Sequence, residues 1–191
     1  MDRSNHYEAA FEAYLRGRGV AVVPIDEARR SYLDAFEVKS PDFIVVGPDD
    51  ARLVVDVKGR KFPGTSGGKV RKTWKNWCER DDINGLTRWA ARLGPGFRGV
   101  LAFVYHIQPS VALPDDTPDV FTFRNHLYLM RGVAVGDYAR HMRRCSPRWD
   151  TVHLAADTFR RLVKPFSEFL GEMNHKGTED TKEKTEAKCP T

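Results

Sequence analysis

The sequence predicts an α/β fold in which a mixed central sheet is flanked by helices, and three features of its pattern predict it. Two β-branched runs, 43–46 and 53–57, flank the turn cluster Gly47-Pro48-Asp49-Asp50, which is the pattern of an antiparallel hairpin. An amphipathic helix and a short strand precede that hairpin. A second amphipathic segment follows it and leads into Gly99-Val100-Leu101-Ala102-Phe103-Val104-Tyr105, a run apolar enough for a strand covered on both faces.

Taken in order, Asn5 is placed to cap a helix over 6–16, closed by Gly17 or Gly19, with Tyr7, Phe11, Tyr14 and Leu15 as its buried stripe. At about 100° per residue, Glu8 lies roughly 20° from Leu15, at the stripe's edge, whereas Glu12 turns further toward solvent. Glu8 is therefore the better candidate for a site carboxylate. Asn5-x-x-Glu8 also fits a capping box, in which Glu8 serves only the helix terminus. A first strand spans 20–25, and Pro24 favours an edge or a strand end. The polar segment 26–39 carries Arg29, Arg30 and Lys39, which are as readily solvated as functional.

Alternation in the hairpin puts Leu53, Val55 and Val57 on one face and Val54, Asp56 and Lys58 on the other. A turn centred on 48–50 sets Asp42 opposite residues 56–58, so two carboxylates and an ammonium share a patch. One lysine offsets two buried acids only in part, and a divalent cation held by both would remove the conflict.

The stretch from Gly59 to Asn76 contains Arg60, Lys61, Lys69, Arg71, Lys72 and Lys75, no acid, and the aromatics Phe62 and Trp74, with Trp77 just beyond. Such a loop suits contact with a polyanion and stacking on bases, or it is a solvated loop with core tryptophans. Gly64 to Val70 superficially resembles a phosphate loop, but Pro63 stands where glycine is needed and Val70 where a hydroxyl is needed. Asp81 or Asp82 then caps a helix with Ile83, Leu86, Trp89, Ala90 and Leu93 on one face, closed by Gly94-Pro95. Beyond it, more strand is expected at 120–130, a basic helix near 135–145, a short strand at 151–154 and a helix over 157–170 interrupted at Pro165. Arg140, Arg143 and Arg144 on the basic helix could touch a nucleic-acid backbone.

Composition bounds the partners. The 191 residues carry a net charge of +5. The segment 171–191, read as a disordered charged tail, holds four lysines and five acids, so the remainder has 27 basic against 21 acidic residues, a net of +6. A single domain is expected over 1–170, with a core at 1–107 and an extension at 108–170. No apolar run reaches membrane-spanning length, and the three cysteines are odd in number and widely spaced, so a cytoplasmic location without membrane association is expected. There is no G-x-S-x-G elbow, and the six histidines are scattered, so serine- and zinc-hydrolase chemistry lack support.

Pro41-Asp42 followed by Asp56-Val57-Lys58 resembles the motif of the PD-(D/E)xK nucleases, and the element order α-β-β-β-α-β resembles their restriction endonuclease-like core. The first helix resembles that of archaeal Holliday-junction resolvases, with Glu8 followed by Leu15 to Gly19. His6-Tyr7-Glu8-Ala9-Ala10-Phe11-Glu12 is similar to the bacterial HYExAFE family, a likeness reaching to about residue 106. The resemblance implies a metal-dependent hydrolase of DNA phosphodiesters. In it, Asp42, Asp56 and the Val57 carbonyl hold Mg²⁺ or Mn²⁺, Glu8 coordinates directly or through water, and Lys58 positions the attacking water and assists its deprotonation. The basic residues from Arg60 to Lys75 would contact the nucleic acid, and a homodimer would suit two-strand cutting. An inactive nucleic-acid-binding module on the same fold is the alternative, and a plain partner-binding protein a third.

Overall fold

The structure is a computed structural model that describes residues 5–25, 31–33, 36–66, 69–146 and 149–171. Arg29, Arg30, Gly67, Gly68 and nearly all of the expected tail lie outside that set. Helix α1 spans His6–Gly17, with the Asn5 side chain accepting from the Tyr7 N–H. Strand β1, Ala21–Pro24, is the edge of the main sheet, where the missing N–H of Pro24 breaks no ladder on its outer side. Strands β2, Phe43–Val46, and β3, Arg52–Phe62, form the expected hairpin. Helix α2, Arg80–Leu93, then crosses over to β4, Phe97–Ile107, which lies parallel to β3. A covering helix is what a parallel pair requires of its connection.

The expected strand at 120–130 is instead two strands, β5 at Val120–Phe123 and β6 at His126–Ala134. They are joined at Arg124 and Asn125, both with positive φ, 49° and 62°. Two such residues make the turn whose twist matches a hairpin. The basic helix is shorter than expected: α3 is Val135–His141, and Arg143–Ser146 is a strand. The last helix is likewise short, α4 at Ala156–Leu162, followed by a two-residue strand β7, Lys164–Pro165, and a 3₁₀ turn at Phe166–Phe169. Pro165 cannot continue a helical ladder, which accounts for the stop.

Among the described residues the main sheet runs β1-β2-β3-β4-β6-β5, with β7 also on β6. A second sheet joins Cys78–Glu79 to the hairpin of Arg143–Ser146 and Trp149–His153. The main sheet is covered on both faces. Phe11, Tyr14 and Leu15 of α1, with Phe166 and Phe169, pack on Phe43, Val55, Val57, Ala102 and Met130. Ile83 and Leu86 of α2, with Tyr138 and Phe159, pack on Val54, Leu101, Phe103 and Val133. Both cores draw on β4 and β6, so the segment after 107 shares its burial with the segment before it. Among the described residues no helix is long and apolar enough to cross a membrane.

Candidate active site

In the β2–β3 ladder Phe43 pairs with Val55, which sets Asp42 opposite Asp56. The Asp42 N–H donates to the Val55 carbonyl at 3.0 Å, and its own carbonyl accepts from Ile25 at 2.9 Å. The main-chain ladder stops there, because Pro41 has no N–H to offer. The N–H of Val57 donates to Asp42 Oδ2 at 2.5 Å instead, so a carboxylate oxygen takes over where the strand ends. The other oxygen, Oδ1, is buried without a hydrogen-bond partner, and Asp42 as a whole is 2% exposed. Charge-assisted bonding at one oxygen fixes the carboxylate and leaves the second free to accept.

Strand alternation sends Val55 and Val57 into the core under α1 and Val54 into the core under α2. Asp56 and Lys58 therefore face α2. The Lys58 ammonium lies 2.5 Å from Asp56 Oδ2 and 2.8 Å from Asp82 Oδ2. Lys39 pairs with the other oxygen of Asp82 and lies 3.8 Å from Glu79 Oε2. A chain of alternating charge thus runs Glu79, Lys39, Asp82, Lys58, Asp56, ending beside Asp42.

Asp82 is the member that sequence reasoning missed. The N-cap of α2 is Glu79 rather than Asp81 or Asp82, and Asp82 is the third residue of the helix in a capping box, accepting the Glu79 N–H at 2.8 Å. Glu-x-x-Asp at a helix start is a legible capping signal. Nothing in sequence spacing connects position 82 with Lys58, 24 residues earlier. Lys39 was left undecided on sequence grounds, and its partnership with Asp82 is equally a product of the packing of α2.

The electrostatics follow from burial. Desolvation raises the Asp56 pKa to about 6, with Asp82 adding to the rise and Lys58 and Lys39 opposing it. Burial would also raise Asp82, but Lys58 and Lys39 pull it below the usual carboxylate range. Burial would lower Lys58, and the two carboxylates more than reverse this, so its pKa is raised and it is firmly protonated. In this state Lys58 can donate and orient, and cannot accept a proton.

Glu8 stands on α1. It is half-buried on the first turn of α1, and the Asn5 side-chain amide donates to its Oε1. Among the described residues no three His, Cys, Asp or Glu side chains stand so as to hold a metal ion, so Glu8 does not complete a three-acid set with Asp42 and Asp56.

The basic residues divide. Arg60 is engaged internally, donating to the carbonyls of Gly59 at 2.7 Å and Trp77 at 2.5 Å, with its guanidinium 3.9 Å from the Trp77 ring centroid. Lys61, Lys69 and Lys72 are exposed, Lys75 is half-buried, and the side chain of Arg71 lies outside the described set. Phe62 and Trp74 stack on each other at 3.6 Å, so Trp74 has one ring face already covered.

No family model matches the chain, and no curated protein matches it in sequence. Among solved structures, the chain is similar to Hjc, a Holliday junction resolvase from the archaeal hyperthermophile Archaeoglobus fulgidus. The TM-score is 0.52 and the identity 14%, over 90% of this chain and 98% of that one. The likeness is one of fold: a restriction endonuclease-like α/β core with a mixed central sheet flanked by helices.

Proposed function

We propose that the protein is a metal-dependent nuclease that hydrolyses DNA phosphodiester bonds by PD-(D/E)xK chemistry. The observation that carries this reading is the juxtaposition of Asp42, Asp56 and Lys58 at the end of the β2–β3 ladder, in a fold similar to that of a resolvase. The donor set suits Mg²⁺ or Mn²⁺: hard oxygen ligands, one of them a buried carboxylate oxygen with no hydrogen-bond partner. Asp42, Asp56 and the Val57 carbonyl would hold the ion, with Glu8 as a further, outer candidate. A bound divalent ion supplies Lewis-acid stabilisation of charge on the phosphodiester and lowers the pKa of water.

The chain's own residues supply the rest. Asp42 is oriented by the Val57 N–H before any ligand arrives. Asp56, raised to about 6 by burial, gains most from a nearby cation. Lys58 is held between Asp56 and Asp82 as a cation that orients water or a phosphate oxygen. Exposed Lys61, Lys69 and Lys72 would contact the strand's phosphates.

The test is incubation with supercoiled, linear, branched and single-stranded DNA in Mg²⁺ and in Mn²⁺. Wild type should cut in at least one condition, and Asp56→Ala and Lys58→Ala should abolish cutting. Variants that cut as well as wild type would overturn the assignment. A second reading, an inactive binding module, is favoured by the engagement of Lys58 with Asp82 and of Glu8 with Asn5. It predicts salt-sensitive DNA binding that survives Asp56→Ala, and no cutting with either ion. Two-strand cutting by a homodimer would appear as a doubled mass in sedimentation equilibrium.

A further inference from the structure

On the face of the sheet opposite Lys58, the ends of three strands and one helix bring together a group of side chains of which the proposed function uses only Lys61. Lys61 of β3 pairs in register with His106 of β4, and His106 with Tyr128 of β6. The His106 ring stands 4.8 Å from that of His126 and 5.7 Å from that of His6, at the start of α1, and lies stacked on Tyr128 at 5.3 Å. His6 Nδ1 and the Tyr128 hydroxyl are hydrogen-bonded at 2.8 Å. Tyr7 lies against Gly59, and Arg124 sits at the turn between β5 and β6. His6, Lys61, Arg124 and His126 are exposed and His106 is half-buried, with its Nδ1 lacking a hydrogen-bond partner.

Once protonated, the neighbouring imidazoles of His106 and His126 repel each other and the Lys61 ammonium. Desolvation, then His126, His6 and Lys61, depress the His106 pKa. The groups around His106 are Lys61 from β3, His6 from α1, and Tyr128 and His126 from β6. Glu8, two residues along α1 from His6, is engaged by Asn5. An arrangement that costs free energy when charged, and that lies open to solvent, is relieved by an anion laid across it.

We infer that His106 and His126, with Lys61 beside them, form a second contact for the phosphodiester backbone of the nucleic acid, one that strengthens as the pH falls. The inference rests on the nucleic-acid reading above and extends it to where the strand runs. Lys61 is three residues beyond Lys58 on β3, about 10 Å at the rise of an extended strand. That is roughly three phosphates at about 3.4 Å of axis each. One strand passing the end of β3 could therefore meet Lys58 on one face and the imidazole patch on the other. A depressed imidazole pKa places the gain below about pH 6.5, where the bound phosphates favour the protonated ring.

Binding of a fluorescein-labelled 30-mer DNA is to be measured by anisotropy in Ca²⁺ at fixed ionic strength from pH 5.5 to 8.0. Wild type should tighten several-fold on acidification. His106→Gln/His126→Asn and the exposed-site single variant His126→Asn should lose most of that tightening while matching wild type within about twofold at pH 8. The single variant guards against a folding defect at half-buried His106, and circular dichroism checks both. A pH dependence identical in wild type and variants overturns the inference, as does tightening by free pyrophosphate but not by DNA. Cleavage is not read, so an inactive but DNA-binding protein leaves the inference standing, whereas loss of all DNA binding at every pH overturns the nucleic-acid reading itself.

Discussion

Asp82→Ala offers a sharp test of the buried charge chain. The Asp82 side chain is fully buried and holds the Lys58 ammonium at 2.8 Å, the Lys39 ammonium and the Glu79 N–H. Removing one partner of a buried ion pair costs roughly 3–5 kcal/mol, because the other charge is left without compensation. Lys58, 14% exposed, keeps Asp56, and Lys39, 37% exposed, can turn to solvent. The expected loss is therefore at the low end, about 3 kcal/mol. Asp82→Asn keeps an oxygen for the Glu79 N–H and removes only the charge, so it should cost less, roughly 1–2 kcal/mol. Urea unfolding followed by circular dichroism and tryptophan fluorescence reads both values. If Asp82→Ala shifts the unfolding free energy by less than about 1 kcal/mol, the chain from Glu79 to Asp56 is not the buried network described.

Two further outcomes follow from the geometry. Because the folded-state pKa of Asp56 is raised, its contribution to stability is present below its unfolded value and lost as the pH rises through about 6. Asp56→Asn should accordingly gain stability relative to wild type between pH 5 and pH 8, and parallel melting-temperature curves for the two proteins would contradict this. A Cβ added at Gly59 would lie 2.3 Å from ring carbons of Tyr7, so Gly59→Ala must displace α1 from β3. Overpacking of that kind costs about 1–3 kcal/mol, and an unchanged melting temperature would refute the contact.

The local pattern of the chain was sufficient for the elements that position the site. Alternation in 53–58, the turn at 47–50 and the apolar run at 99–105 are short-range properties, and each recurs as an element of the sheet. The face shared by Asp56 and Lys58 followed from the two-residue period alone, and turn length placed Asp42 opposite 56–58, which the register narrows to Asp56. Element ends were less legible. The break at Arg124-Asn125 depends on backbone conformations that several residue types permit.

Partnerships across the sheet were decided by packing. Asp82 read as a helix cap until the crossover of α2 carried its carboxylate over β3, onto an ammonium that no spacing rule could connect to it. Glu8 sat at the right helical angle, yet Asn5 stands one turn away and took up its carboxylate. Arg60 and Trp74 looked available in a basic loop, but the path of the chain after β3 laid Trp77 against the one and Phe62 against the other. Sequence period sets the direction a side chain leaves its own strand or helix. Which distant group it meets depends on where the other elements come to rest, because contacts between elements are made by burial in three dimensions and not by separation along the chain.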